Sequence, residues 1–274
     1  MLKTFSVIVP VFNEENGLEA RARLLLSGLP GGCELIFVCN GCTDRSEAIL
    51  RETVGTTAVV LTCAKGKARA IRLGERHASL LPRFYVDSDV SVSGSDLARL
   101  ARALRDGVQL VSPRIAFNLE GASWAARSLS QFWLSLPHGR TGAYHHVLGV
   151  SAAARARWGA FPDLMADDLF IESMIEDEEK RVVTDITVTT TPPKRFWQWI
   201  RVRIRWQQGI EQLRRARIDP PMVAGQYRAI LSGALSPRLC ASAILYCASV
   251  LLSRLLARTG LFESGKWYRD ASSR

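Results

Sequence analysis

Two carboxylates stand two residues apart in Val86-Asp87-Ser88-Asp89, at the end of an apolar run. Carboxylates so spaced can hold a hard divalent cation beside a diphosphate, and such a cation neutralises charge on a phosphate leaving group. A solvated turn would use the same residues, but the strand-like run Arg83–Asp87 in front of them favours the metal. A second acidic pair, Ala166-Asp167-Asp168-Leu169, precedes a helical pattern. It reads either as a helix cap or as a carboxylate poised to deprotonate a hydroxyl. Lys65-Gly66-Lys67-Ala68-Arg69 also leads into a helix, where lysines and helix amides can meet phosphate. It lacks the full Gly-x-x-x-x-Gly-Lys-Ser/Thr spacing of a nucleotide-hydrolysing loop. Val9-Pro10-Val11-Phe12-Asn13-Glu14-Glu15 runs from a strand into an acidic helix start, where Asn caps and Glu suits the helix dipole. Cys39-Asn40-Gly41-Cys42 offers a tight turn at Gly41. Its Cys-x-x-Cys has neither a second pair at metal spacing nor a nearby His, so zinc or redox chemistry is not favoured. His145-His146 lies in an apolar stretch and reads as structural rather than metal-binding.

The elements that must position these residues alternate. Strand-like runs at Phe5–Val9, Glu34–Cys39, Thr57–Leu61 and Arg83–Asp87 are separated by helical patterns at Glu14–Ser27, Ser46–Thr53 and Lys67–Leu80. Pro10, Pro30-Gly31-Gly32 and Gly55 punctuate them. Short apolar strands alternating with helices predict an α/β fold, with a mostly parallel sheet covered on both faces. Ligands of such sheets bind at the carboxyl ends of the strands, so Asn13, Asn40 and Asp87 are expected on one rim. Further on, the pattern predicts a helix over Ser95–Arg105, a strand over Gln109–Ser112 and an apolar helix near Ala122–Leu134. A segment around Tyr144–Val150, a helix after Asp168, a strand over Val182–Thr190 and a long basic helix over Phe196–Arg217 follow.

The 274 residues are 47% hydrophobic and 23% charged, too apolar for a disordered chain and too interrupted for a polytopic membrane protein. Six scattered Cys do not make a disulfide scaffold. The apolar run Phe5–Phe12 ends in Asn-Glu-Glu rather than a small-residue cleavage site, and reads as a strand, not a signal peptide. The longest uncharged apolar run, Leu239–Ser253, would span roughly 22 Å as a helix, short of the ~30 Å hydrocarbon core. The chain is therefore expected in the cytoplasm with reduced thiols.

In order, VIVPVFNEE, FVCNGCTDRSEAI, KGKARAIRLG, FYVDSDV and ADDLF resemble a family 2 glycosyltransferase of the GT-A fold over residues 1–175. TPPKRFWQWIRVRIRWQQG, residues 191–209, is similar to the closing segment of that family. The resemblance implies a Rossmann-like sheet in residues 1–217, with a nucleotide-sugar half over 1–112 and an acceptor half over 113–217. Residues 218–274, which the resemblance does not reach, are expected from their apolar run to form a helical, membrane-associated extension. The resemblance also implies inverting transfer from a nucleotide-diphosphate sugar donor. Pro10, Phe12 and Glu14 would border the nucleoside and Lys67 would approach the donor. Asp87 would contact the nucleotide sugar, and Asp89 would bind Mg²⁺ or Mn²⁺. Asp168 would be the general base and Asp167 its acidic neighbour, while Arg205 and Trp206 would close over donor and acceptor. Three positions depart from the pattern. The acidic pair after the second strand is Cys39-Asn40, where Asn40 could bond a base or ribose; Arg72 replaces an Asn, and Val202 a Gln.

The net charge of +10 is uneven: residues 1–137 carry +3 and residues 138–274 carry +7, and the stretch 194–217 alone holds +7 with Trp197, Trp199 and Trp206 interleaved. A solvated helix with buried Trp and a membrane-surface helix both fit that pattern. The nearby apolar run leans the expectation toward peripheral contact with an anionic membrane and a saccharide or lipid-linked acceptor, as in cell-envelope polysaccharide. A nucleotidyltransferase, or a basic membrane- or RNA-binding module, are the alternatives. Nucleic acid ranks last, because dense aromatic–basic motifs are absent from the first strands.

Overall fold

The computed structural model describes residues 4–136, 144–220, 228, 230–231 and 239–258. Its sheet grows from runs that are apolar on both faces. β1 (Ser6–Val11) is buried throughout and β2 (Glu34–Asn40) almost throughout, as strands covered by helices on both sides must be. Around them lie α1 (Leu18–Leu26), α2 (Ser46–Val54), β3 (Val59–Cys63), α3 (Lys67–His77), β4 (Arg83–Val86), α4 (Gly94–Ala103) and β5 (Leu110–Phe117). Then come α5 (Trp124–Ser135), β6 (Val147–Val150), α6 (Ala152–Arg155), α7 (Asp167–Ser173), β7 (Lys180–Thr190), α8 (Phe196–Arg215) and α9 (Cys240–Arg258).

Seven strands form one sheet in the order β3-β2-β1-β4-β6-β5-β7. β1 pairs in parallel with both β2 and β4, and β3 with β2. The chain leaves β1 toward β2 on one side and returns to β4 on the other, so the rim between β1 and β4 is the topological switch point where such sheets bind ligands. β6 runs antiparallel beside β4, with Val86 opposite Val147. The start of β6 therefore meets the end of β4 on that same rim. Gly149 permits this pairing, since a Cβ there would collide with the Phe84 ring.

Element boundaries differ from expectation for identifiable reasons. α1 begins at Leu18 rather than Glu14, because Asn13 and Gly17 take left-handed conformations (φ 51° and 73°) and hold residues 13–17 as a loop. α3 stops at His77, where Ser79 and Leu80 turn away to bond Glu34 and Ser6. β5 continues through Pro113, beyond the expected end at Ser112. Its ladder with β6 ends at Val111, so the missing proline N–H breaks no bond on that side.

The chain divides into two compact units. The first comprises Met1–Arg114, Tyr144–Asp163 and Asp167–Val188 and holds most of the sheet. The second comprises Ile115–Ala143, Leu164–Ala166 and Thr189–Arg274. The expected division was sequential, with 218–274 apart. Instead, α9 shares an apolar cluster with α5 and α8 through Leu129, Phe132, Trp199, Ala243 and Tyr246. Burial of those side chains links segments that composition along the chain separates. α9 is also longer than the run Leu239–Ser253 suggested. Its 19 residues span ~28 Å, close to a bilayer core.

Candidate active site

Asp87 leaves the end of β4 and accepts from two directions. Lys67, the first residue of α3, places Nζ 2.7 Å from Asp87 Oδ1, and His146 Nδ1 lies 3.0 Å from Asp87 Oδ2. The backbone reinforces the pair, since Asp87 N–H donates to the His146 carbonyl at 2.8 Å. Lys67 Nζ also lies 2.8 Å from Asp167 Oδ2, in the first turn of α7. One ammonium thus bridges two carboxylates 80 residues apart in sequence. Pro10, Lys67, Asp87, His146, Asp167 and Asp168 line one polar pocket, floored by Ile71, Tyr85, Val86 and Leu148.

Burial alone would raise the Asp87 pKa, but Lys67 and His146 hold it well below the usual carboxylate range. Burial likewise opposes the charge on Lys67, yet Asp167 and Asp87 together push its pKa above the ordinary lysine value. Asp167 is pushed up to about 6, first by burial and then by the charges of Asp168 and Asp87, against the pull of Lys67. The adjacent histidines separate. Burial takes His145 down to about 4, whereas for His146 burial is opposed by the bond to Asp87 together with the charges of Asp87, Asp89 and Asp168, which jointly raise it.

The two carboxylates at the start of α7 differ in access. Asp167 keeps 10% of its side chain exposed and faces Lys67, while Asp168 keeps 35%, with its Oδ2 3.7 Å from His145 Nδ1. A base that must take a proton from an incoming hydroxyl needs to be reachable. Asp168 meets that condition.

One oxygen or nitrogen each from Asp87, Asp89 and His146 lies within 4.8 Å of the others, the sole such group of His, Cys, Asp or Glu among the described residues. His146 was expected to be structural. Its backbone φ of 62° and its place just before β6 turn it onto the carboxylates instead. Only the antiparallel register of β6 beside β4 brings it there. The donor set suits a hard or borderline divalent cation. Between the two aspartates, Ser88 Oγ is buried with no hydrogen-bond partner among the described residues.

Arg21 of α1 holds this loop from behind and was absent from the sequence reading. Its Nε donates to the Ser88 carbonyl at 2.6 Å and its Nη2 lies 3.3 Å from Glu14 Oε2. Glu14 in turn donates its backbone N–H to Ser46 Oγ at 2.7 Å. The available signal was a cation in the same helical stripe as the buried Leu18 and Leu25. Glu14 is therefore a buried partner of Arg21 rather than a free rim carboxylate.

Other expected residues are spoken for in different ways. Asn40 is buried, donating to the Val11 carbonyl at 2.7 Å and accepting from Gly66 N–H at 3.2 Å, so both ends of its amide tie loops together. Asn13 does not cap a helix; it accepts from Thr43 N–H at 2.8 Å. Phe12 lies under Lys65 Nζ, 4.8 Å from the ring centroid. Gly41 needs its left-handed φ of 69°, because a Cβ would press on the Lys65 backbone. Arg72 donates to the Phe161 carbonyl at 3.1 Å. Cys39 and Cys42 are free thiols. The bond from Cys39 draws Cys42 down to about 7, while that bond and burial raise Cys39. Arg205 and Trp206 belong to the second unit, where the Trp206 ring lies 6.0 Å from that of Trp199 and 6.4 Å from that of Trp133.

Glu172, four residues after Asp168 on α7, is pushed up to about 7 by burial, with Lys180 Nζ 3.9 Å away opposing the shift. Below the ordinary value of 4.5 the group is protonated in folded and unfolded chains and contributes nothing. As pH rises from there to about 7 the unfolded chain ionises first, so stability falls by about 3 kcal/mol, fully lost above that pH. Glu172→Gln is therefore expected to stabilise the protein by about 2–3 kcal/mol near pH 8 and to change little near pH 4.5. Urea unfolding at the two pH values checks this, and equal stability of the two proteins near pH 8 contradicts it.

A switch point that gathers strand-end carboxylates, a lysine and a reachable aspartate in one pocket defines, on this sheet topology, the GT-A class of glycosyltransferases. The chain belongs to glycosyl transferase family 2, whose family model matches residues 6–157. Among solved structures, it is similar to a mannosyltransferase from Pyrobaculum calidifontis in complex with GDP-Man and Mn²⁺. The identity is 20%, with 96% of this chain and 82% of that one covered and a TM-score of 0.61. Glucosyl-3-phosphoglycerate synthase from Mycobacterium tuberculosis, solved with Mn²⁺, UDP and glucosyl-3-phosphoglycerate, matches at 18% identity. There 81% of this chain and 82% of that one are covered, with a TM-score of 0.55. No curated protein sequence matches the chain.

Proposed function

We propose that the chain is an inverting glycosyltransferase that moves a sugar from a nucleotide-diphosphate donor to an acceptor hydroxyl. The observation that carries this reading is the single pocket shared by Asp87, Lys67, Asp167, Asp168 and His146 at the switch point. Mg²⁺ or Mn²⁺ is the fitting cofactor, held by Asp87, Asp89 and His146, and when bound it supplies charge neutralisation at the donor diphosphate. Support comes from the similar structures, which were solved with Mn²⁺ and a nucleotide or nucleotide sugar.

The chain's own residues divide the remaining work. Lys67 locks Asp87 and Asp167 in place, and Arg21 fixes the carbonyl between Asp87 and Asp89. Pro10 and Phe12 border the nucleoside. Asp168 takes the proton of the acceptor hydroxyl as its oxygen forms a bond to the anomeric carbon. The bond from that carbon to the diphosphate oxygen breaks, and the electron pair leaves with the nucleoside diphosphate. One displacement from the opposite face inverts the anomeric centre. The acceptor is a saccharide or a lipid-linked saccharide, met at the cytoplasmic face of a membrane.

The test is release of a nucleoside diphosphate from a panel of sugar nucleotides, with and without Mn²⁺, guided by which ligands raise the melting temperature. Metal-dependent nucleoside diphosphate release supports transfer. Pyrophosphate release from nucleoside triphosphates, without activity on any sugar nucleotide, would show a nucleotidyltransferase instead.

A further inference from the structure

The polarity of α9 is inverted. Its side against the protein carries Ala243, Tyr246, Ser249 and Ser253, with both serines fully buried and bonded to carbonyls of their own helix. Its outward side carries Ile244, Leu251 and Leu255, each more than 60% exposed. Only 22% of Cys240–Ala257 is buried, in a stretch long and apolar enough to cross a membrane. A helix facing water puts apolar residues inward and polar ones outward. Small residues at the helix contact with leucine outside is the arrangement of helices whose outer solvent is lipid.

The helices packed against it say what kind of lipid surface. Trp124 opens α5 and Trp197 lies in the first turn of α8, both more than 60% exposed. The Ser123 N–H donates to the Lys194 carbonyl at 2.9 Å, so the starts of the two helices are neighbours. Exposed tryptophan in this setting is characteristic of a membrane–water interface. On α5, Arg127 shares the exposed face of Trp124 at i+3, and on α8, Arg201 shares that of Trp197 at i+4. Neither arginine has a carboxylate partner among the described residues, and α5 and α9 contain no acidic residue.

We propose that α5, α8 and α9 form a docking face for an anionic lipid bilayer, with the outward side of α9 and the two tryptophans in the interfacial layer and the arginines at the phosphates. Arg201 and Arg214 are exposed on α8, which packs along α9. Immersing them in hydrocarbon is costly, so α9 lies on the bilayer rather than crossing it. A second copy of the chain is a poorer occupant, since a two-fold interface would set this cationic face against itself. Nucleic acid would leave Ile244, Leu251 and Leu255 in water. The inference rests on the second unit and stands whether or not the transferase reading holds.

Vesicle flotation of the full chain tests it. Phosphatidylcholine vesicles containing phosphatidylglycerol are expected to bind at least tenfold more tightly than phosphatidylcholine alone, with binding falling as salt rises and protein released by alkaline carbonate. The double variants Trp124→Ser/Trp197→Ser and Leu251→Gln/Leu255→Gln should each lose tenfold or more, with their melting temperatures and vesicle-free nucleoside diphosphate release unchanged. Four results would overturn the proposal: equal binding to both vesicle types, variants that bind like the parent, retention after carbonate, or a dimer in lipid-free solution that the same variants dissolve.

Discussion

Asp168→Asn lowers kcat by about 10²- to 10⁴-fold, the usual contribution of a positioned general base, while donor affinity and melting temperature stay close to the parent's. The amide keeps the shape of the side chain and still accepts the 2.8 Å bond from Leu169 N–H. Only the capacity to take a proton is removed. Asp167→Asn is the informative comparison. Asp167 is bound to Lys67 and is three times less exposed, so its loss unsettles the ammonium bridge and shows in stability. A base acts in the chemical step, so the deficit belongs in kcat rather than in the KM for donor. Full turnover by Asp168→Asn would place the base elsewhere and remove the mechanism drawn from this pocket.

Asp89→Asn is expected to cut kcat/KM by about 10³-fold or more and to raise the Mn²⁺ concentration needed for half-maximal rate, because charge stabilisation at a leaving diphosphate is worth several kcal/mol. Asp89 is the cleaner target of the two metal candidates. It is exposed and holds no hydrogen bond or ion pair among the described residues, whereas Asp87 is tied to Lys67 and His146 and its loss would disturb the rim itself. Arg21 feels the Asp89 charge, which supports its pKa against the lowering by burial. The Arg21 bond to the Ser88 carbonyl should therefore survive the substitution, and with it the loop. The measurement is a Mn²⁺ titration of nucleoside diphosphate release at saturating donor. An unchanged titration would mean that Asp89 is only a solvated turn residue.

The order of strands and helices through β4 was legible because each is a local pattern. Apolar runs such as Phe5–Val9 and Glu34–Cys39 need no distant partner to be recognised, and Asp87, Lys67, Asp167 and Asp168 stood out by their place at element ends. Four of the five short motifs that resemble one family lie within the match over residues 6–157, and ADDLF at 166–170 lies beyond it. Loops were less legible. The delay of α1 to Leu18 depends on Asn13 reaching Thr43 and Glu14 reaching Ser46, and neither contact is visible within the segment itself.

By itself the sequence determined which residues could do chemistry and that most lie at the carboxyl rim of a parallel sheet, since strand and helix periods are written in neighbouring side chains. The tertiary structure alone decided which of them meet. The ammonium of Lys67 bridges Asp87 and Asp167, His146 joins the carboxylates through the register of β6, Asn40 and Glu14 turn inward, and α9 shows leucine to the outside. Each of these depends on contacts between segments tens of residues apart, set by how strands pair and helices pack. Spacing along the chain carries no record of that pairing.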